Sequence, residues 1–180
     1  MNIAIVGIAH KRAACHYDRF VMSLHNQSHR AWDAYIFEVG SQDRIDQLAF
    51  PISRLNDCDA LKSKLSYIQT GVDDFYNEVI AHVILGNSYY HAVGFIPLNY
   101  RMDYKLLELV NESFDADTQT ILLSGKDFYS ENAYERIPFL KRELVQNHKF
   151  TLNDSDGELW VAPKNGATKA LGQKPFLMRF

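Results

Sequence analysis

Cysteine is scarce: Cys15 and Cys58 are the only two in 180 residues, and their spacing fits neither a disulfide framework nor a metal-ligand pattern. A reducing compartment is the expectation. Long apolar runs are missing too, none approaching the ~18 residues that a bilayer-spanning helix requires. In the opening MNIAIVGIAHKR the apolar run precedes the basic residues, the reverse of a secretory signal. That segment reads as the first strand of a cytoplasmic protein. Excess positive charge is absent: 19 Lys and Arg against 22 Asp and Glu give a formal net charge of -3. This argues against an extended nucleic-acid surface. No Gly-rich phosphate loop follows the first apolar run, since GIAHKR is neither a Walker loop nor a dinucleotide fingerprint. Among seven histidines only His25 and His29 stand four apart, so no zinc-helix pattern is evident.

What is present fits one globular domain. Apolar residues make up 47% and charged residues 23% of the chain, enough for a buried core without the signature of disorder. Ile3 to Ile8 is continuously apolar, as a strand buried on both faces should be. Phe20, Val21 and Leu24 give the stretch from Asp18 to His25 a helical stripe. Strands are expected at Ala34 to Phe37 and Ser66 to Gln69, and a helical turn somewhere between Arg44 and Ile52. Asp73 to Leu85 carries Phe75, Val79, Ile80, Val83 and Ile84 on one face, with Asp73 and Asp74 placed to cap it and Gly86 to stop it. A strand from Tyr89 to Leu98, a helix from Asp103 to Phe114 and a strand at Thr120 to Leu123 follow. Tyr134 to Asn147 is expected to be largely helical despite Pro138, and Glu158 to Ala162 to close the sheet. Residues 1–163 then form one domain, and residues 164–180 a basic tail.

Strands alternating with helices predict an α/β sandwich with a mainly parallel central sheet, Rossmann-like in its layering. Ligands of such folds sit beyond the carboxyl ends of the strands. That rule selects Ala9, His10 and Arg12, then Glu38 to Ser41, then Leu98 to Asp103.

The stretch IVGIAHKRAACHYDRFVMSLHNQSHRAWDAYIFEVGSQD resembles the opening of family 2 glycosyltransferases of the GT-A fold. Ser23, Leu24, Asn26, Gln27, Trp32, Gly40, Ser41 and Asp43 fall in register with the family's first helix, its Trp and its Asp-Asp-Gly-Ser turn. FYNEVIAHVILGNSYYHAVGFIPLNYRMDYKLLELV is similar to the stretch leading to the family's Asp-X-Asp, with Asn77 and Gly86 in place. SENAYERIPFLKRELVQNHKF resembles its Glu-Asp helix. The likeness spans most of residues 3 to 162. The departures concentrate on chemical positions. Asp-Asp-Gly-Ser becomes Glu38-Val39-Gly40-Ser41, and the helix Arg becomes Tyr76. Asp-X-Asp falls on Ile96 to Leu98 or on Pro97 to Asn99, neither with a carboxylate. Glu-Asp becomes Glu131-Asn132.

The resemblance implies a nucleotide-sugar donor bound by Ala9, His10, Arg12, Glu38, Gly40, Ser41, Asn99 and Arg101, with an unknown hydroxyl acceptor. It places Glu131 and Asn132 at the catalytic position and a divalent metal, Mn or Mg, on Asp103. Each has a plainer alternative. Glu38 contacts a base or ribose, or is a solvated strand-end acid. Asp103 holds metal or caps the next helix. Glu131 is a base or a helix-terminal acid. Leaving-group charge needs a cation, and an acceptor hydroxyl needs a base, which Asn132 cannot supply. Two functions follow: sugar transfer, or a GT-A-like domain that binds a nucleotide, a sugar or a protein partner without catalysis. A second copy of the chain is another expected partner.

Overall fold

A computed structural model describes residues 1–10, 16–40, 61, 63–127 and 133–147, and the backbone of four further short strands. Side chains are described for 1–9, 16–40, 61, 63–123 and 137–147. In chain order the elements are β1 (Ile3–His10), α1 (Tyr17–His25), β2 (Trp32–Val39), β3 (Leu65–Thr70), α2 (Phe75–Val79, continuing as a π-helix over Ile80–Leu85), β4 (Ala92–Pro97) and β5 (Tyr100–Met102). Then come α3 (Leu106–Ser113), β6 (Thr120–Asp127), β7 (Ala133–Lys141), α4 (Arg142–Asn147), β8 (Thr151–Asn153), β9 (Glu158–Trp160), β10 (Thr168–Leu171) and β11 (Leu177–Arg179).

Nine strands form one sheet in the order β3-β2-β1-β4-β7-β6-β11-β5, with β10 also paired to β6. The ladders β3-β2, β2-β1, β1-β4, β6-β11 and β6-β10 are parallel. Those of β7 with β4 and β6, and of β5 with β11, are antiparallel. The expected mainly parallel α/β sheet is what the chain builds.

Alternation along the strands divides the core into two layers. Ile3, Ile5, Ala34, Ile36, Ile96, Ile121 and Phe139 face α1 and α3, meeting Phe20, Leu24, Leu106 and Val110. Ala4, Val6, Ile8, Phe37, Val93 and Phe95 face the other way, onto Phe75, Val79, Val83 and Ile84 of α2 and Val145 of α4. The change of side has a consequence. From β1 through β2 to β3 the chain moves in one direction with α1 on the first face, and then returns past β1 to β4 with α2 on the second. Right-handed parallel crossovers require that switch of face when the direction reverses. The topological switch point therefore lies between β1 and β4.

Two close contacts fix the layers. A Cβ at Gly94 would lie 2.4 Å from the buried Phe139 ring, and one at Gly7 would lie 2.6 Å from Ile36 Cδ1. Gln27 is wholly buried. Its Nε2 donates to Ser23 O at 3.0 Å and Asp103 O at 2.7 Å, while its Oε1 accepts from Leu107 N–H at 3.0 Å. One amide thus clamps the end of α1 to the start of α3.

Four expectations need correcting. Residues from Ala133 to Lys141 form strand β7 rather than helix, and only Arg142–Asn147 is helical. The strand wins because Ile137 and Phe139 bury against the first core layer and Leu140 against the second, an alternating demand that a helix cannot meet. Pro138 fits there for a definable reason. Lys141 N–H points to Gln119 O on the β6 side, so Pro138, an odd number of residues earlier, turns its nitrogen toward β4, whose ladder ends at Phe139. Glu158–Trp160 does not close the main sheet but pairs with Thr151–Asn153 in a separate two-stranded sheet. In the run after Lys164, β10 and β11 add their backbone to the main sheet beside β6. Asp74 stands at the start of α2 without a side-chain capping hydrogen bond. The turn expected between Arg44 and Ile52 lies outside the described residues.

Gly94→Ala should lower unfolding free energy by about 1–3 kcal/mol, since the ring beneath it has nowhere to go. Gln27→Ala should cost about 2–4 kcal/mol, because it leaves buried backbone groups unpaired. Urea denaturation of each variant checks both.

Candidate functional site

The four parallel strands β1 to β4 end on one edge, and their register decides which side chains meet there. Ala9 pairs with Glu38, and Glu38 pairs with Gln69 on the next strand. On the other side of β1, Ile8 pairs with Pro97. Leu98 N–H donates to Ile8 O at 2.9 Å, so the chain leaving β4 stays against the β1 tip. Gly40 follows β2 with φ of 145°, a conformation side-chain-bearing residues rarely adopt, and its N–H donates to Thr70 O at 3.2 Å. Ala9, Glu38 and Gln69 lie side by side, with Glu38 two residues beyond Ile36 on the α1 side of the sheet.

Glu38 is half-buried and held. The Tyr67 hydroxyl donates to its Oε2, and Gln69 Nε2 donates to the same oxygen at 3.3 Å. Oε1 has no hydrogen-bond partner among the described residues. Burial pushes the Glu38 carboxyl above the ordinary glutamate range, and the Gln69 hydrogen bond pulls the other way. Tyr67 and Gln69 were expected only as part of a strand. The signal for their role was available in their spacing: two apart on β3, they share a face, and the parallel register sets that face beside Glu38.

Beyond β4 the chain divides the remaining candidates. Asn99 stays near the β1 tip, and its Oδ1 is buried without a hydrogen-bond partner. Three other buried side-chain polar atoms share that condition, Trp32 Nε1, Thr120 Oγ1 and Arg142 Nε, but they lie near the opposite end of the sheet. Arg101 is exposed on β5 between the buried Tyr100 and Met102, opposite Met178 of β11. Its side chain thus leaves the sheet on the face away from the α1 layer. Asp103 Oδ1 accepts from Lys105 N–H at 2.9 Å and its carbonyl from Leu106 N–H at 3.1 Å, so it caps the turn into α3.

The backbone of His10 pairs with Val39. Arg12, Ser41, Glu131 and Asn132 lie outside the described residues. A divalent metal finds little here: among the described residues no three His, Cys, Asp or Glu side chains converge, and Asp103 is engaged in its turn. These residues do not fit a metal centre of their own. No helix among the described residues is long and apolar enough to cross a membrane.

Set against solved structures, the arrangement has clear counterparts. S. aureus TarS superposes with a TM-score of 0.68 at 11% identity, over 99% of this chain and 60% of that one. The fold is of the GT-A type. TarS has also been solved in complex with UDP-GlcNAc. The mannosyltransferase PcManGT from Pyrobaculum calidifontis, in complex with GDP-Man and Mn2+, gives a TM-score of 0.57 at 11% identity, over 81% of this chain and 46% of that one. A cytidylyltransferase from Leptospira borgpetersenii gives 0.55 at 13%, over 81% and 63%. This chain therefore spans well under two thirds of the TarS structure's length. No protein-family model and no curated protein sequence matches it.

Because its folded-state value is raised, the Glu38 carboxyl contributes stability below the unfolded value that is lost as pH rises through the raised one. Carboxyl NMR titration should place its midpoint above that of a solvent-exposed glutamate. Gln69→Ala should move that midpoint further up, and Glu38→Gln should remove this component of the pH–stability curve.

Proposed function

We propose that this GT-A-like chain binds a nucleotide-linked sugar at the tips of β1, β2 and β4 and transfers the sugar to a hydroxyl acceptor. The observation that carries the reading is the convergence at the switch point. Ala9 lies beside Glu38 there, with Oε1 of Glu38 without a partner among the described residues, and the segment leading to Asn99 is bonded to the β1 tip. An ionised carboxylate held from one side is a ready acceptor for a base N–H or a ribose hydroxyl. Asn99 Oδ1, buried and without a hydrogen-bond partner among the described residues, is a second acceptor just beyond β4. The glycosyltransferases that share the fold act on nucleotide sugars in the complexes named above, which supports the donor class.

In this reading each residue has a limited task. Glu38 orients the nucleoside. Ala9 and Gly40 leave room for the nucleotide, Ser41 is assigned a polar contact to the donor, and Asn99 orients the sugar or the ribose. His10, Arg12 and Arg101 supply positive charge toward the departing diphosphate. Glu131 takes the acceptor proton, with Asn132 positioning the hydroxyl. Asp103 is left to its turn, and no step is assigned to a metal.

One observation favours a second reading. The position nearest the family's metal-binding segment is spent on capping. A chain that binds the donor without turning it over, as a nucleotide, sugar or protein binding module, accounts for that equally well.

Thermal-shift measurements with nucleoside diphosphates and nucleotide sugars, with and without manganese, test the donor site. A ligand at about 100 times its dissociation constant stabilises by about 2.7 kcal/mol. At least one nucleotide should raise the melting midpoint, manganese should not be required, and Glu38→Ala should abolish the shift. No shift with any nucleotide at millimolar concentration would remove the donor site. A shift without sugar release in the presence of acceptors would leave the binding module.

A further inference from the structure

The way Glu38 is held says which nucleoside edge it can read. A free carboxylate offers two oxygens and can accept two adjacent N–H groups at once, as arginine pairs show. Here one oxygen is already used. Oε2 accepts from both the Tyr67 hydroxyl and Gln69 Nε2, and Gln69 Nε2 also lies 3.4 Å from the Tyr67 oxygen, so the three groups form one closed cluster. Both β3 side chains sit on the same face as Glu38, one directly across the ladder and one two residues back. What remains on the carboxylate is a single acceptor, Oε1, and the Gln69 amide gives its two N–H groups to Oε2 and to the Tyr67 oxygen.

Resting on the donor site proposed above, we infer that Tyr67 and Gln69 are its specificity-determining residues. By saturating Oε2 they restrict the site to a base that offers one ring N–H flanked by carbonyls, a uracil edge, and turn away guanine. Guanine carries two neighbouring donors, N1–H and the 2-amino group, and its advantage over uracil depends on a carboxylate with both oxygens available. With Oε2 occupied, its amino group meets an oxygen that has no lone pair to give and loses its hydration without return. Uracil needs one acceptor for N3–H, and Oε1 supplies it. Cytosine has no ring N–H, so its ring nitrogen lone pair would stand where the carboxylate needs a donor. The restriction comes from β3, not from the identity of Glu38 alone.

Titration calorimetry of the full chain with UDP, GDP and CDP, each alone, provides the test. In the unmodified chain UDP should bind about tenfold or more tightly than GDP or CDP, the value of one well-placed hydrogen bond against an unpaired group. Tyr67→Phe frees Oε2 and should raise GDP affinity about tenfold relative to UDP. Gln69→Ala removes the second donor to Oε2 and should raise GDP affinity relative to UDP, in the same direction as Tyr67→Phe. A merely structural role for these side chains would move all three nucleotides together, so the ratio is the deciding quantity. GDP or CDP binding as tightly as UDP, or an unchanged GDP-to-UDP ratio in Tyr67→Phe, would overturn the inference. If Glu38→Gln still weakened every nucleotide alike in that case, the donor site would stand and only its β3 control would fall. No binding of any nucleotide would overturn both.

Discussion

Parallel strands joined by right-handed crossovers fix where the strand tips of this chain meet. Strands β3, β2, β1 and β4 stand in that order. The chain must therefore reverse its direction across the sheet at β1, and α1 and α2 must cover opposite faces. Beyond the carboxyl ends of β1 and β4 the chain continues toward α1 and α3, both on the first face, and Leu98 N–H ties the exit of β4 to Ile8 O. The apolar alternation of each strand, the packing of Phe20 and Leu24 on one face and of Phe75 and Val79 on the other, and the positions of Ala9, Glu38 and Asn99 all follow from that reversal.

The two ends of the sheet differ in how their polar groups are used. At the amino end Asp33 Oδ2 accepts from the hydroxyls of Tyr89 and Tyr90, while Tyr35 and Tyr90 share a hydrogen bond of 2.9 Å and Asn87 donates to Tyr35. Burial foremost, with hydrogen bonding to its neighbours, drives the Tyr90 hydroxyl far above its ordinary value, so Tyr90 stays protonated, and the cluster fastens β2 to the turn before β4. That cluster is closed on itself, although Trp32 Nε1, Thr120 Oγ1 and Arg142 Nε near the same end have no hydrogen-bond partner among the described residues. At the carboxyl end, Glu38 is steadied by its neighbours but not consumed by them, and Asn99 Oδ1 is unpartnered. A preorganised acceptor costs less to engage than one that must first be ordered.

Sequence periodicity revealed the strands that end at this site, because Ile3 to Ile8 and Ala34 to Phe37 are buried on both faces and leave little ambiguity. The α2 stripe was equally legible, although its second half winds as a π-helix that no periodicity argument anticipates. Strand β7 was misread because AYERIPFLK joins an apolar cluster to charged flanks, and its strand character depends on pairing with β6 rather than on a local pattern. The same limit applies to the site. Glu38 stood out as a strand-end acid, but Tyr67 and Gln69 acquire their meaning only through the β2–β3 register. Asp103 was legible as either cap or ligand, and its bond from Lys105 N–H is that of a cap. Its neighbour Arg101 is carried to β5, a displacement produced by a two-residue connection after β4 that local patterns do not expose.

The central claim is that the tips of β1, β2 and β4 receive the nucleotide end of a sugar donor. Backbone amide chemical-shift mapping of the isotopically labelled chain, titrated with a nucleotide sugar, measures this directly. The account predicts perturbations concentrated at Ala9, Glu38, Gly40, Gln69, Leu98 and Asn99, with Asn87, Tyr89 and Tyr90 at the opposite end unmoved. Perturbations centred on that opposite end, or none at saturating ligand, would contradict it.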